Sequence, residues 1–233
     1  LQRDAQTLCT DARWALLRPV KQDDAVTVFN GLSFAREELV ALPQAFAHGA
    51  QTAEGEPVAV CGTQALVTLP ALGAVTLLPA GGGQSQPRAF AKQLETGVLL
   101  QNERVAMQVD RQGHVISYTL DGREMNVLRM YKDVPRIFDA WDIDSNYREQ
   151  EACTARADTL ELLKEEGFSV SVRWTGSIGR SAVTQVITLR TGSPVAEFDT
   201  TIQWRELHRL LKVEFPVDVR AENAIHEIQF GYV

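Results

Sequence analysis

The 233 residues are 45% hydrophobic and 23% charged, enough to bury one large all-β domain or two small ones. A net charge of −7 and a pI near 5.2 argue against nucleic acid and against an anionic membrane surface, both of which favour basic partners. No window approaches the roughly 18 apolar residues of a membrane span, and the start LQRDAQTLCT lacks the basic and apolar regions of a signal peptide.

Leu1, Ala5, Leu8, Ala12, Ala15 and Leu16 recur at helical spacing, and Pro19 stops the helix they predict near Arg18. A lone helix of this length is marginal in water, so it is expected to pack on the β-structure that follows. Strands are predicted at Ala25 to Phe29, Glu38 to Leu42, Val58 to Cys61, Ala65 to Pro70 and Ala74 to Pro79. The Gly-rich run from Ala80 to Pro87 reads as a flexible linker and the main boundary. No GK[ST] follows it, so it is not a phosphate loop.

The second part opens with Gly97 to Leu100. Arg104 to Asp110 and His114 to Leu120 flank the turn Asp110-Arg-Gln-Gly113, a hairpin in which Gly supplies the positive φ, and Asp121-Gly122 reads as a second tight turn. Residues from about Arg129 to Asp158 read as one long connection, the kind that usually carries function. Strands are then expected at Thr159 to Glu165, Phe168 to Thr175, Ala182 to Arg190, Ala196 to Trp204, Leu211 to Phe215 and Asn223 to Gly231. Leu211, Val213 and Phe215 form the expected apolar face of their strand, with Lys212 and Glu214 opposite. Many long strands with turn signals and one helix predict an all-β fold, a large antiparallel multi-layer β-sandwich of the mutarotase-like, super-sandwich kind, with a short N-terminal helix.

Tyr131 to Tyr147, YKDVPRIFDAWDIDSNY, mixes aromatics with carboxylates. A sugar offers an apolar CH face and a rim of hydroxyls, which such a loop can meet on both counts. Asp139, Trp141, Asp142, Asp144 and Tyr147 are the candidate sugar-binding residues; the same stretch also reads as an acidic surface loop whose aromatics plug into the scaffold. Asp142-x-Asp144-x-Asn146 begins like a calcium loop, but Tyr147 stands where Gly is needed and Cys153 where a bidentate carboxylate is needed. No HxH, HxxxH or HExxH occurs, so no zinc site is expected in this chain. His114 reads as solvated, and His208 as part of a hairpin connection. Trp174 and Trp204 lie on strand patterns and read as core. No GxSxG elbow is present, and Cys9, Cys61 and Cys153 have neither disulfide nor metal-binding spacing, which suits reduced thiols in the cytoplasm.

Several segments resemble the C-terminal β-region of glycoside hydrolase family 38, the α-mannosidases. Val26-Thr-Val-Phe-Asn-Gly-Leu-Ser-Phe-Ala-Arg36 is similar to that family's VFNPLSW-x-R, with Gly31 for Pro and Phe34 for Trp. Ala65 to Thr76 resembles V-x-VPALG-x-x-T, and Leu100 to Ser117 resembles LEN-x-x-L-x-V…D-x-x-G-x-I-x-S. Asp133 to Asp144 resembles D-x-P-x-x-W-DAWDID, with Phe138 for Trp; Trp204 to Pro216 and Ile225 to Gly231 resemble W-x-E-x-H-x-x-LK-x-x-FP and YE-x-QFG.

The resemblance implies a retaining α-mannosidase parent, with zinc or another divalent metal and the aspartate nucleophile in an N-terminal catalytic domain that no segment here matches. No catalytic residue is therefore assigned to this chain, and it is expected to be inactive alone. The missing Met and the final strand pattern read as cuts through a longer protein, divided as 1–20 (the end of a helical bundle), 21–86 (a small β-subdomain) and 87–233 (the large β-sandwich). Expected partners are α-mannoside glycans and the catalytic domain, with association through severed sheet edges into a homo-oligomer left open. A stand-alone carbohydrate-binding module, a pure scaffold and a mutarotase-like epimerase using His226 or His208 are the rival readings.

Overall fold

The computed structural model describes residues 2–16, 24–83, 85–86, 88–118, 127–134, 143, 145–150, 152–163, 167–215 and 220–233. Its described residues form antiparallel β-structure with a single α-helix at the N-terminal end, the all-β class expected from the strand patterns. They fall into two compact units: residues 1–90 with 163–171 and 188–196, and residues 91–162 with 172–187 and 197–233.

The first unit begins with helix α1 (Gln2–Leu16). Every described side chain on it is exposed, Leu8 at 69%, so none of these is buried by the packing on the β-structure that the sequence led us to expect. Thr7 and Thr10 instead donate their hydroxyls to the carbonyls four residues back. A cavity of about 560 Å³ lies between Cys9, Ala12 and Arg13 of the helix and residues 29–31 and 72–74. Strands β1 (Val26–Phe29), β2 (Arg36–Ala41), β3 (Ala50–Thr52), β4 (Pro57–Cys61), β5 (Gln64–Leu69) and β6 (Ala74–Pro79) form a sheet ordered β1-β6-β3-β4-β5-β2. Its core gathers Leu42, Phe46, Ala50, Val60, Ala65, Val67, Leu69 and Leu77. Strand β3 escaped the sequence reading because three residues carry too little periodicity.

Asn30 anchors the turn after β1. It is buried; its amide nitrogen donates to the carbonyls of Phe34 and Pro70, both at 2.8 Å, and its side-chain oxygen accepts from the Leu32 N–H. The Gly-rich stretch is also tied down. The N–H groups of Ala80, Gly83 and Ser85 donate to the carbonyls of Gly49, His48 and Val60, so its described residues are a hydrogen-bonded margin of the sheet rather than a free tether.

Next come β7 (Phe90–Leu94), β8 (Gly97–Gln101), β9 (Ala106–Asp110) and β10 (Val115–Tyr118), sheet order β10-β9-β8-β7. Val98, Leu100, Met107, Val109 and Val115 are buried. Asn102 accepts from the N–H groups of Arg104 and Val105, and Asp110 from those of Gln112 and His114, which closes the two turns. His114 is buried rather than solvated, with Nε2 2.9 Å from the Ala155 carbonyl oxygen.

The long connection expected from about 129 to 158 is broken by structure at both ends. Strand β11 (Val127–Lys132) opens it, a 3-10 turn covers Ser145–Glu149, and β12 (Ala152–Thr154) follows. Then β13 (Arg156–Leu162), β14 (Ser169–Ile178), β15 (Ser181–Arg190) and β16 (Ala196–Gln203) form a sheet in that order. In β15, alternate residues Ser181, Val183, Gln185, Ile187 and Leu189 are all buried, as a strand with period two requires. Buried Gln185 is satisfied on both sides: Trp174 Nε1 donates to it at 3.0 Å, and it donates to Thr200 at 2.7 Å. Trp174 is core as expected, but Trp204 lies just past β16 and is 43% exposed.

Strand β17 (Arg209–Glu214) completes a sheet ordered β12-β11-β17. The strand expected over 223–231 is instead a small exposed hairpin of β18 (Glu227–Ile228) and β19 (Gly231–Tyr232), turned at Phe230 with φ 63°.

Candidate functional site

The site begins with a pairing. Strands β11 and β17 run antiparallel with Arg129 opposite Lys212 and Tyr131 opposite Leu210. Opposed residues share a face, so Arg129, Tyr131, Lys212 and Glu214 line one side of the sheet. The expected split of β17 into an apolar and a charged face is present, and the charged face is the one the cluster covers. Val213 and Phe215 are 47% and 57% exposed, whereas Lys212 and Glu214 are half-buried. Alternation shows that two faces differ; it does not say which one is covered.

Tyr147, half-buried in the 3-10 turn, stands over this face. Its ring meets Tyr131 edge-on, centroids 5.4 Å apart and planes at 90°. The Lys212 ammonium donates to the Tyr147 phenol oxygen and lies 4.1 Å from the ring centroid. Arg148 Nε donates to the same oxygen at 3.0 Å. Beneath it, the Tyr131 hydroxyl donates to Glu214 Oε1, and Arg129 Nε forms an ion pair with Glu214 Oε2 at 3.0 Å.

These contacts drive the two phenols apart. The hydrogen bond to the Glu214 carboxylate, then burial, raises the pKa of Tyr131. The hydrogen bond from Lys212, then that from Arg148, lowers the pKa of Tyr147, and Tyr147 in turn raises that of Arg148. Tyr131 is thus a persistent donor committed to Glu214. Tyr147 accepts from two cations, which leaves its own proton to donate outward or to lose.

Of the candidates read from the sequence, Tyr147 takes part in this cluster, while Asp139, Trp141, Asp142 and Asp144 lie outside the described residues. Asp133, where β11 ends, donates its N–H to the His208 carbonyl at 2.9 Å. Arg129, Tyr131, Lys212 and Glu214 were missed as site residues. The available signal was Lys212 and Glu214 sharing a face two residues apart. Among the described residues, no three His, Cys, Asp or Glu side chains are grouped to hold a metal. His208 and His226 are both exposed, His208 on a backbone with φ 53°.

A second carboxylate is structural. Glu206 Oε1 accepts from the Arg180 N–H at 2.6 Å and the Ser181 hydroxyl at 2.9 Å, closing the turn between β15 and β14. Burial works to raise its pKa, but these bonds and the charges of Arg180 and Arg209 outweigh it and lower the pKa.

Residues 100–233, which include both strands of the cluster and Tyr147, match the model of the glycosyl hydrolases family 38 C-terminal domain. The chain belongs to glycosyl hydrolase family 38. It is 30% identical over its whole length to alpha-mannosidase 2C1 of Homo sapiens and 30% identical over 88% of its length to alpha-mannosidase 2C1 of Mus musculus. Alpha-mannosidase G of Dictyostelium discoideum is 26% identical over 58% of the chain. The chain spans 23%, 20% and 13% of these three relatives.

The family-like segments acquire separate physical roles. Asn30, Asn102 and Asp110 close turns by accepting from backbone N–H groups, Glu206 closes another, and Lys212 reaches Tyr147.

Proposed function

We propose that this chain is the C-terminal β-region of a retaining, zinc-dependent α-mannosidase of the cytoplasm, inactive by itself, that forms one wall of a site for terminal α-mannosides. Asp139, Trp141, Asp142, Asp144 and Tyr147 contact the sugar or the catalytic domain that completes the site. The observation that carries this reading is the Tyr147 cluster within the family 38 match: an aromatic edge and a polarised hydroxyl, suited to a sugar's CH face and hydroxyl rim.

The reaction proposed for the complete enzyme uses two carboxyl groups about 5–5.5 Å apart, one as acid and one as nucleophile. Glu214, the carboxylate of the cluster, is engaged by Tyr131 and Arg129 and is not assigned either role. The metal is assigned to the catalytic domain and no step is derived through it; among the described residues no three His, Cys, Asp or Glu side chains are grouped to hold one. No helix among the described residues is long and apolar enough to cross a membrane.

The test is hydrolysis of a chromogenic α-mannoside by the chain with zinc added. The expected result is no turnover, together with a tryptophan fluorescence change on adding methyl α-mannoside that Trp141→Phe removes. Turnover that survives purification overturns the inactive reading. Absence of any fluorescence response overturns the sugar wall and leaves a scaffold.

A further inference from the structure

We propose that Lys212 is a positioning residue, which clamps Tyr147 so that the phenol presents its proton to a hydroxyl of the bound mannoside. The proposal rests on the sugar-wall reading above and names the device by which that wall would be held.

Two cations hold Tyr147: Arg148, whose guanidinium lies 5.6 Å from the ring centroid, does so from Tyr147's own turn, and Lys212 does so from a strand. Lys212 sits on β17, fixed in register against Arg129 of β11, so its stem starts from a hydrogen-bonded strand rather than from a loop. Its ammonium reaches the Tyr147 oxygen and the ring of the same residue at once, which restricts both the position of the phenol and its rotation. Tyr131 blocks a further direction by its edge-on contact, and is itself held by Glu214. Among the described residues, the groups facing Tyr147 are therefore Lys212 and, through Tyr131, Glu214 from β17; Tyr131 and Arg129 from β11; and Arg148 from its own turn. Cations outnumber carboxylates in this set, in a chain whose net charge is −7.

A phenol oxygen that accepts from two cationic donors has its remaining hydrogen-bonding capacity in its own O–H. That O–H is polarised by the donors behind it and is the stronger for it. Tyr147 and Lys212 are both half-buried, so a ligand can reach the phenol while the clamp behind it is partly shielded from water. The lowered pKa of Tyr147 follows from the same contacts and gives the clamp an observable of its own.

The experiment uses the full chain as wild type, Lys212→Met, Lys212→Arg and Tyr147→Phe, with phenolate absorbance against pH and methyl α-mannoside affinity as separate readouts. Tyr147→Phe identifies the Tyr147 component of the titration. Lys212→Met is expected to move that component up toward the ordinary phenol value of about 10 and to weaken mannoside binding roughly tenfold. Lys212→Arg, which keeps a cationic donor, is expected to restore most of both. A Tyr147 titration unmoved by Lys212→Met overturns the clamp, whatever the affinity does. A titration that moves while affinity stays constant overturns its role toward the sugar. A titration that moves in a chain whose wild type binds no mannoside overturns the wall reading and leaves the clamp supported. Should Lys212→Met fail to fold, Lys212→Gln carries the same readouts.

Discussion

The six-stranded sheet of the first unit and the β12-β11-β17 sheet of the second are both antiparallel, yet they cover their faces with different chemistry. The first closes over aliphatic and aromatic side chains, with Leu69 and Leu77 fully buried and Asn30 as a polar anchor at its edge. The second carries two cations, a carboxylate and a phenol on one face and a second phenol over them. Apolar burial is non-directional and scales with area, so the first arrangement holds a shape. Hydrogen bonds among charged groups depend on direction as well as distance, so the second holds particular atoms in particular places. The difference separates a scaffold from a candidate site without reference to any relative.

The comparison can be broken most readily at Leu77. Leu77→Ala leaves a cavity in the aliphatic core and is expected to cost about 2–5 kcal/mol, read from denaturant unfolding. A loss under about 1 kcal/mol would show that this sheet does not depend on its core as described. Asn30→Ala removes one side chain that serves three backbone groups, and is expected to cost about 1–3 kcal/mol by the same measurement. Tyr131→Phe, on the polar face, should have the smallest effect near neutrality and a distinctive pH dependence. Because the folded state raises the Tyr131 pKa above the ordinary phenol value of about 10, its stabilisation is fully present below about pH 10 and is lost as pH rises through the folded value. The stability gap between wild type and Tyr131→Phe should therefore be flat through neutral pH and narrow only in alkali. A gap that widens in alkali would contradict the bond to Glu214.

Much of the first unit was legible from sequence. Val26 to Phe29 and Ala74 to Pro79 are β-branched runs bounded by Asn, Gly or Pro, and they are strands β1 and β6. The turn at Asp110 to Gly113 was legible for the same reason, a carboxylate and a glycine at fixed offsets. The site was harder to read. In β11 the sequence Val-Leu-Arg-Met-Tyr-Lys places long side chains on both faces, so no alternation marks it as a strand, and Tyr131 reads as part of a loop. In β17 the alternation is plain but does not say which face is covered, because Lys212 and Glu214 find their partners across the sheet and in a turn 65 or more residues away. Trp204 continues the β16 pattern by one position after the strand has ended. Partners distant in the chain leave no periodic trace, and they are what decides which face is covered.

The pinned Gly-rich margin has a practical consequence for anyone dissecting the protein. Its composition invites a cut or a fusion point near Ala80 to Ser85, but three of its amides are hydrogen-bonded to residues 48–60. A Cβ on Gly49 would come within 3.0 Å of the Gly82 nitrogen, so even a methyl group there would press on the margin. Severing the chain at these residues would strip β4 and the turn before β3 of backbone partners, and amide exchange at Ala80, Gly83 and Ser85 would report how firmly the hem is sewn.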